Sequence, residues 1–201
     1  MVRRAKDDGV DLLALGEMGI GNTTAASAVV AALLKVKPEL VTGRGTGISD
    51  EMLLHKIEII EKAIERHKDS LGGPLSILQH LGGYEIAALT GAILSGARLR
   101  LPMVVDGWVV ASAVLIAARL NAHVLNYVFF GHQSEERGHR LVFESLRAKP
   151  LLDFSMRLGE ASGAALAMAI LDAAIRIYNE VATFQEAGVS KRKEPNEVAL
   201  G

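Results

Sequence analysis

The segment Gly16-Glu17-Met18-Gly19-Ile20-Gly21-Asn22-Thr23-Thr24 follows an apolar run and precedes an Ala-rich helical pattern. A strand, a glycine turn and a helix start in that order make an anion pocket. The glycines let the backbone approach a ligand, and the free N–H groups of the helix's first turn point at it. The acid inside the turn, Glu17, has no place in a simple phosphate loop. Gly19-x-Gly21-x-x-Thr24 lacks the third glycine of the dinucleotide fingerprint, and no Gly-x-x-x-x-Gly-Lys-Ser/Thr occurs in the chain. On these residues alone, the glycines could equally serve a tight turn and nothing more.

The strand-then-helix order recurs. The pattern predicts strands at residues 11–15, 101–105 and 126–130. It predicts helices at 24–35, from Ser49 or Asp50 as N-cap to about 66, from the 82–83 glycine pair to 96, to 120, from Ser134 to 147, and at 161–180. Such alternation implies an α/β fold, a Rossmann-like, mainly parallel sheet with helices on both faces. Ligands of such sheets bind beyond the carboxyl ends of the strands. The glycine-bearing turns after Leu15, Val105 and Phe130 fall at that edge, and the loop from Gly43 to Gly47 joins them if it reaches the same crevice.

At 201 residues, half of them hydrophobic, the chain can bury one substantial core. The expected organisation is one α/β domain over 1–189 and a mobile tail over 190–201. A net charge of −1 with dispersed signs excludes the basic stripe of a nucleic-acid binder. The absence of cysteine fits a reducing, cytoplasmic setting and excludes thiolate metal sites. No apolar run approaches the roughly 20 residues of a membrane span, so a soluble protein is expected.

Four further sites carry chemistry. Gly43-Arg44-Gly45-Thr46-Gly47 is a second glycine-rich loop, followed two helical turns later by Lys56. It reads as an anion nest with a point charge, or as a flexible linker. Asp106 ends a predicted strand and could hold a ribose hydroxyl, although capping the next helix is the commoner use of that spacing. Ser134 is an ordinary N-cap candidate, and the six histidines show no paired metal-ligand spacing. Glu160 stands just before an apolar helix of small residues. There the helix end favours its charged form while apolar surroundings raise its pKa, the tuning a general base needs. Its plainer role is a partner for the helix dipole.

Together with Val105-Asp106-Gly107, the segment from Tyr127 to Ser134 and Arg157-Leu158-Gly159-Glu160, these blocks occur in the order and spacing of one family. The chain resembles the nicotinate-nucleotide–dimethylbenzimidazole phosphoribosyltransferases, which make the lower-ligand nucleotide of cobalamin. The resemblance covers the chain to about Val189. It implies transfer of phosphoribose from nicotinate mononucleotide to 5,6-dimethylbenzimidazole or a similar base, giving α-ribazole 5′-phosphate and nicotinate, without metal or redox cofactor. By match of motif position, Glu160 is the expected general base. Gly19, Gly45 and Lys56 are the phosphate-holding set, Glu17 and Ser134 face the ligand, and Met18 and Leu158 line the base pocket.

Family members begin with a long N-terminal segment that supplies part of the aromatic-base pocket. By that comparison this chain corresponds to the C-terminal catalytic portion, a fragment or split gene product. Uncovered apolar surface would favour a partner chain or a homodimer. The alternative is a catalytically incomplete fragment that only binds nicotinate mononucleotide or phosphate. Two smaller departures are Ala161 and Ala169, where the family usually has glycine and proline. Ala161 would restrict the loop beside Glu160 if its position needs a positive φ.

Overall fold

A computed structural model describes residues 1–45 and 47–189, so Thr46 and the expected tail at 190–201 lie outside the described residues. Strands β1 (Leu13–Leu15), β2 (Met103–Val105), β3 (Val128–Ser134) and β4 (Pro150–Met156) lie side by side in chain order, every neighbouring pair parallel. One row of the ladder runs from Leu15 to Val105 to Phe130 to Pro150. The helices are α1 (Val2–Asp7), α2 (Thr23–Leu34), α3 (Asp50–His67), α4 (Pro74–Leu81), α5 (Tyr84–Arg98), α6 (Trp108–Leu120), α7 (His139–Leu146) and α8 (Ser162–Glu180). The chain thus forms the parallel α/β sheet that its alternating pattern implied.

By contacts the chain divides into two compact units, Met1–Met168 and a second beginning at Ala169. The second contains the end of α8, with an Asp172–Arg176 ion pair of 3.2 Å, and a turn in which Glu186 accepts from the N–H and hydroxyl of Thr183. The first unit holds the sheet. Its core centres on α6, where every residue from Trp108 to Ala117 is buried, and on α2, buried from Ala26 to Ala31. Small and β-branched side chains on both helices allow them to pack closely against each other, and β2 is wholly buried. The α3 helix starts where its N-cap signal placed it. Ser49 Oγ accepts from the Met52 N–H at 3.3 Å, and Asp50 and Glu51 occupy the first turn.

The C-terminal half of the sheet departs from the sequence reading. Strand β3 does not stop at Phe130 but continues through Gly131 and His132 to Ser134. Gly131 is a packing glycine rather than a turn. A Cβ there would lie 3.0 Å from the Val105 carbonyl oxygen and 3.1 Å from the backbone of Ala164. Ser134 is therefore the last residue of a strand and not a helix N-cap. The next helix begins five residues later, at His139, with Gly138 as its cap. Strand β4 escaped the pattern because it is an edge strand with Leu152 as its one buried residue, and its Pro150 sits at the first position, where an edge tolerates proline. Helices α1 and α4 were also unforeseen; at six and eight residues they are too short for a full periodic signature.

Candidate functional site

The turns that follow all four strands meet at the carboxyl edge of the sheet. They form a cleft lined by Asp106, Gly107 and Trp108 and by Glu17, Gly19, Gly45, Ser134, Glu136 and Leu158. The loop carrying Gly45 joins the three turns expected there, so the convergence anticipated from the strand ends is realised.

In the first turn Gly19 and Gly21 take φ +77° and +80°, conformations that favour glycine. The Glu17 carboxylate folds back and its Oε2 accepts the Gly19 N–H at 2.5 Å, so an acid of the chain itself rests on the first nest. The segment 159–161 packs directly on this turn. The Glu160 N–H donates to the Glu17 carbonyl at 2.9 Å, and a Cβ on Gly16 would lie 2.4 Å from the backbone nitrogen of Ala161. Gly159, Glu160 and Ala161 all take positive φ (+79°, +57° and +62°). The condition set for Ala161 is thus met. An L-residue in that conformation costs roughly 1 kcal/mol relative to glycine.

In the second loop Gly45 has φ +54° and Gly47 φ +110°. Lys56, buried on α3, sends its ammonium to Thr23 Oγ1 at 2.8 Å and to the Gly43 carbonyl at 3.1 Å, tying α3 to the start of α2 and to the loop. Burial lowers its pKa, and the nearby Glu136 carboxylate opposes that shift. Glu136 is displaced the other way. Burial raises its pKa against the pull of Lys56 and the Gly45 N–H.

Behind the cleft lies a buried polar cluster. Asp106 does not cap the helix that follows it. Its Oδ1 instead accepts from the N–H groups of Gly163 and Ala164, at 2.8 and 3.1 Å, in the first turn of α8. The same oxygen stands 3.5 Å from His132 Nδ1. Beyond it the Ser134 N–H donates to His139 Nδ1 at 2.9 Å, and the Ser134 hydroxyl lies 2.9 Å from the same nitrogen.

Burial, and secondarily the charge of His132, push the His139 imidazole down to about 3. An unfolded histidine takes a proton near pH 6.5, so below that pH the unfolded chain binds more protons here than the folded one. The stability held by a neutral His139 is therefore complete above pH 6.5 and drains as the pH falls towards 3. In an NMR titration the His139 ring is expected to stay neutral down to about pH 4. A midpoint near 6.5 would contradict its burial.

Of the residues singled out from sequence, Glu17, Met18, Gly19, Gly45, Ser134 and Leu158 line this one cleft. Lys56 borders an adjoining cleft that shares Gly19, Thr23 and Gly45 with the first. Glu160 lies on a shallow recess that shares Met18, Gly45 and Leu158. It is exposed rather than set in apolar surroundings, because it sits on the open side of the segment 159–161. Nor does it serve the end of α8, where Asp106 takes the N–H groups. The ordinary signals also passed over Trp108, Arg157 and Glu136. Glu136 shares the acidic pair after Ser134, but nothing local distinguishes it from Glu135.

A family model described as Phosphoribosyltransferase matches residues 1–189. The nicotinate-nucleotide–dimethylbenzimidazole phosphoribosyltransferase of Chlorobaculum tepidum is 51% identical over 190 residues, 94% of this chain and 54% of that protein. The enzyme of the same name from Chloroflexus aggregans is 54% identical over the same shares. The crystal structure of CobT from Thermus thermophilus superposes with a TM-score of 0.89 at 46% identity, covering 95% of this chain and 57% of that one. The chain spans about half the length of the curated relatives it matches.

Proposed function

Because the chain belongs to the family of nicotinate-nucleotide–dimethylbenzimidazole phosphoribosyltransferases, we propose that it carries the phosphoribosyl-transfer chemistry itself. The donor is nicotinate mononucleotide, the acceptor 5,6-dimethylbenzimidazole or a similar base, and the products are nicotinate and α-ribazole 5′-phosphate. The observation that best supports this reading is the hydrogen bond from the Glu160 N–H to the Glu17 carbonyl at 2.9 Å. It ties the acid assigned as base to the glycine turn assigned to the mononucleotide, so one rigid contact sets their spacing.

In this reading the N–H groups of Gly19 and Gly45, with Lys56, hold the 5′-phosphate. Phosphate binding then supplies remote energy for aligning the ribose. Glu17 and Ser134 face the ribose and the departing ring, while Met18 and Leu158, both exposed apolar side chains, offer one wall to the acceptor. The acceptor ring nitrogen forms a bond to C1′ as the C1′–N bond to nicotinate breaks. The bonding pair returns to the pyridinium nitrogen, neutralising it without an acid catalyst. The azole proton passes to the Glu160 carboxylate.

The test is nicotinate release measured with and without dimethylbenzimidazole, beside direct binding of the mononucleotide. Acceptor-dependent release is expected. Measurable binding with no acceptor-dependent release would overturn the proposal. Among the described residues no helix is long and apolar enough to cross a membrane.

A further inference from the structure

The proposed chemistry gives Glu136 no role, yet its carboxylate lies where an entering anion would bind. A Cβ on Gly43 would stand 1.9 Å from Glu136 Oε2, so only glycine at that position admits the carboxylate to the loop. The N–H of Gly45 favours its charged form, and the Lys56 ammonium attracts it. Those are the groups assigned above to the phosphate. The arrangement is incompletely satisfied: Oε2 is buried and has no hydrogen-bond partner among the described residues. A carboxylate held in this way is a good occupant of a nest without ligand and a poor neighbour for a phosphate dianion.

We infer that the Glu136 carboxylate occupies the nest between Gly43 and Gly45 and competes there with the phosphate of the substrate, so that Glu136 sets how tightly that phosphate is held. The inference rests on the phosphate assignment made under the proposed function. Glu17 plays the comparable part at Gly19, but it lies within its own turn and two residues from its donor. Glu136 arrives from the end of β3, on a separate element, so it can withdraw without unfolding the loop it fills. The consequence is a penalty on anion binding: the phosphate must displace a carboxylate, so it is held less tightly than the nest and Lys56 alone would hold it.

The experiment is calorimetric titration of the chain with inorganic phosphate and with nicotinate mononucleotide, for the wild type, Glu136→Gln and Glu136→Asp. Glu136→Gln keeps the shape and removes the charge, so phosphate is expected to bind on the order of tenfold more tightly. Glu136→Asp keeps the charge and should stay near the wild type. A structural brace would give the opposite sign, since its loss loosens the loop and weakens binding. Equal affinity in the wild type and Glu136→Gln, weaker binding in Glu136→Gln, or equal gains in both variants would overturn the inference alone. Failure of the wild type to bind either ligand would overturn the phosphate assignment as well.

Discussion

Glu160→Gln is expected to reduce acceptor-dependent nicotinate release by about 10²–10⁴, the usual contribution of a positioned general base. The affinity for nicotinate mononucleotide should stay within about twofold, because the side chain meets the acceptor and not the phosphate. Folding should hardly change. Glu160 is exposed, and its structural contact to the Glu17 carbonyl is made by the backbone N–H, which glutamine retains. An exposed substitution of this kind usually shifts stability by less than about 0.5 kcal/mol. Loss of turnover with intact binding and an unchanged melting temperature would therefore assign the proton transfer to the carboxylate. Unchanged turnover would remove Glu160 from that role.

Asp106→Ala has the largest expected effect on stability. The Asp106 side chain is about 1% exposed, and one of its oxygens accepts both first-turn N–H groups of α8 while facing His132 Nδ1 at 3.5 Å. Alanine would leave two buried donors without a partner and remove the charge that complements the positive end of the helix. Breaking a buried arrangement of this kind costs about 3–5 kcal/mol. For a chain of this length that corresponds to a fall in melting temperature on the order of 10 °C. Asp106→Asn keeps an acceptor of the same size and should recover much of the loss. Thermal unfolding followed by circular dichroism checks both, and a fall below about 1 kcal/mol for Asp106→Ala would show that the contact is dispensable. Because the α8 start adjoins segment 159–161, activity should fall with stability in this variant, unlike in Glu160→Gln.

These two acids show how much of the site was legible. Glu160 was singled out by a local signal, an acid beside glycine just ahead of a small-residue helix, but its expected role came from the resemblance, and the structure exposes it instead of giving it the apolar surroundings that the signal suggested. Asp106 was visible as a polar residue at a strand end, but its task was misread. Spacing suggested that it caps the helix beginning two residues later. The structure sets it on a helix 57 positions away along the chain, and no window of neighbouring residues contains that pairing. Gly131 was misread for a related reason. A glycine in a strand looks like a turn until the backbone of Ala164 is seen packed against it.

Local geometry was written in the residues alone. Alternating apolar periods set the order of strands and helices, Ser49 started α3, and the glycines of the first two loops placed anion nests at the ends of a strand and before a helix. These features depend on backbone torsions and on residues within a turn or two of each other. Which groups occupy those nests, and which lose their water, was settled by the three-dimensional packing. Glu17 accepts from the first nest at Gly19, the Glu136 carboxylate comes up against Gly43, Lys56 reaches from α3 to the start of α2, and burial holds His139 neutral behind the cleft. Desolvation and charge pairing depend on everything that surrounds a group in space. They became definite only when the four strand ends and the 43–47 loop came together.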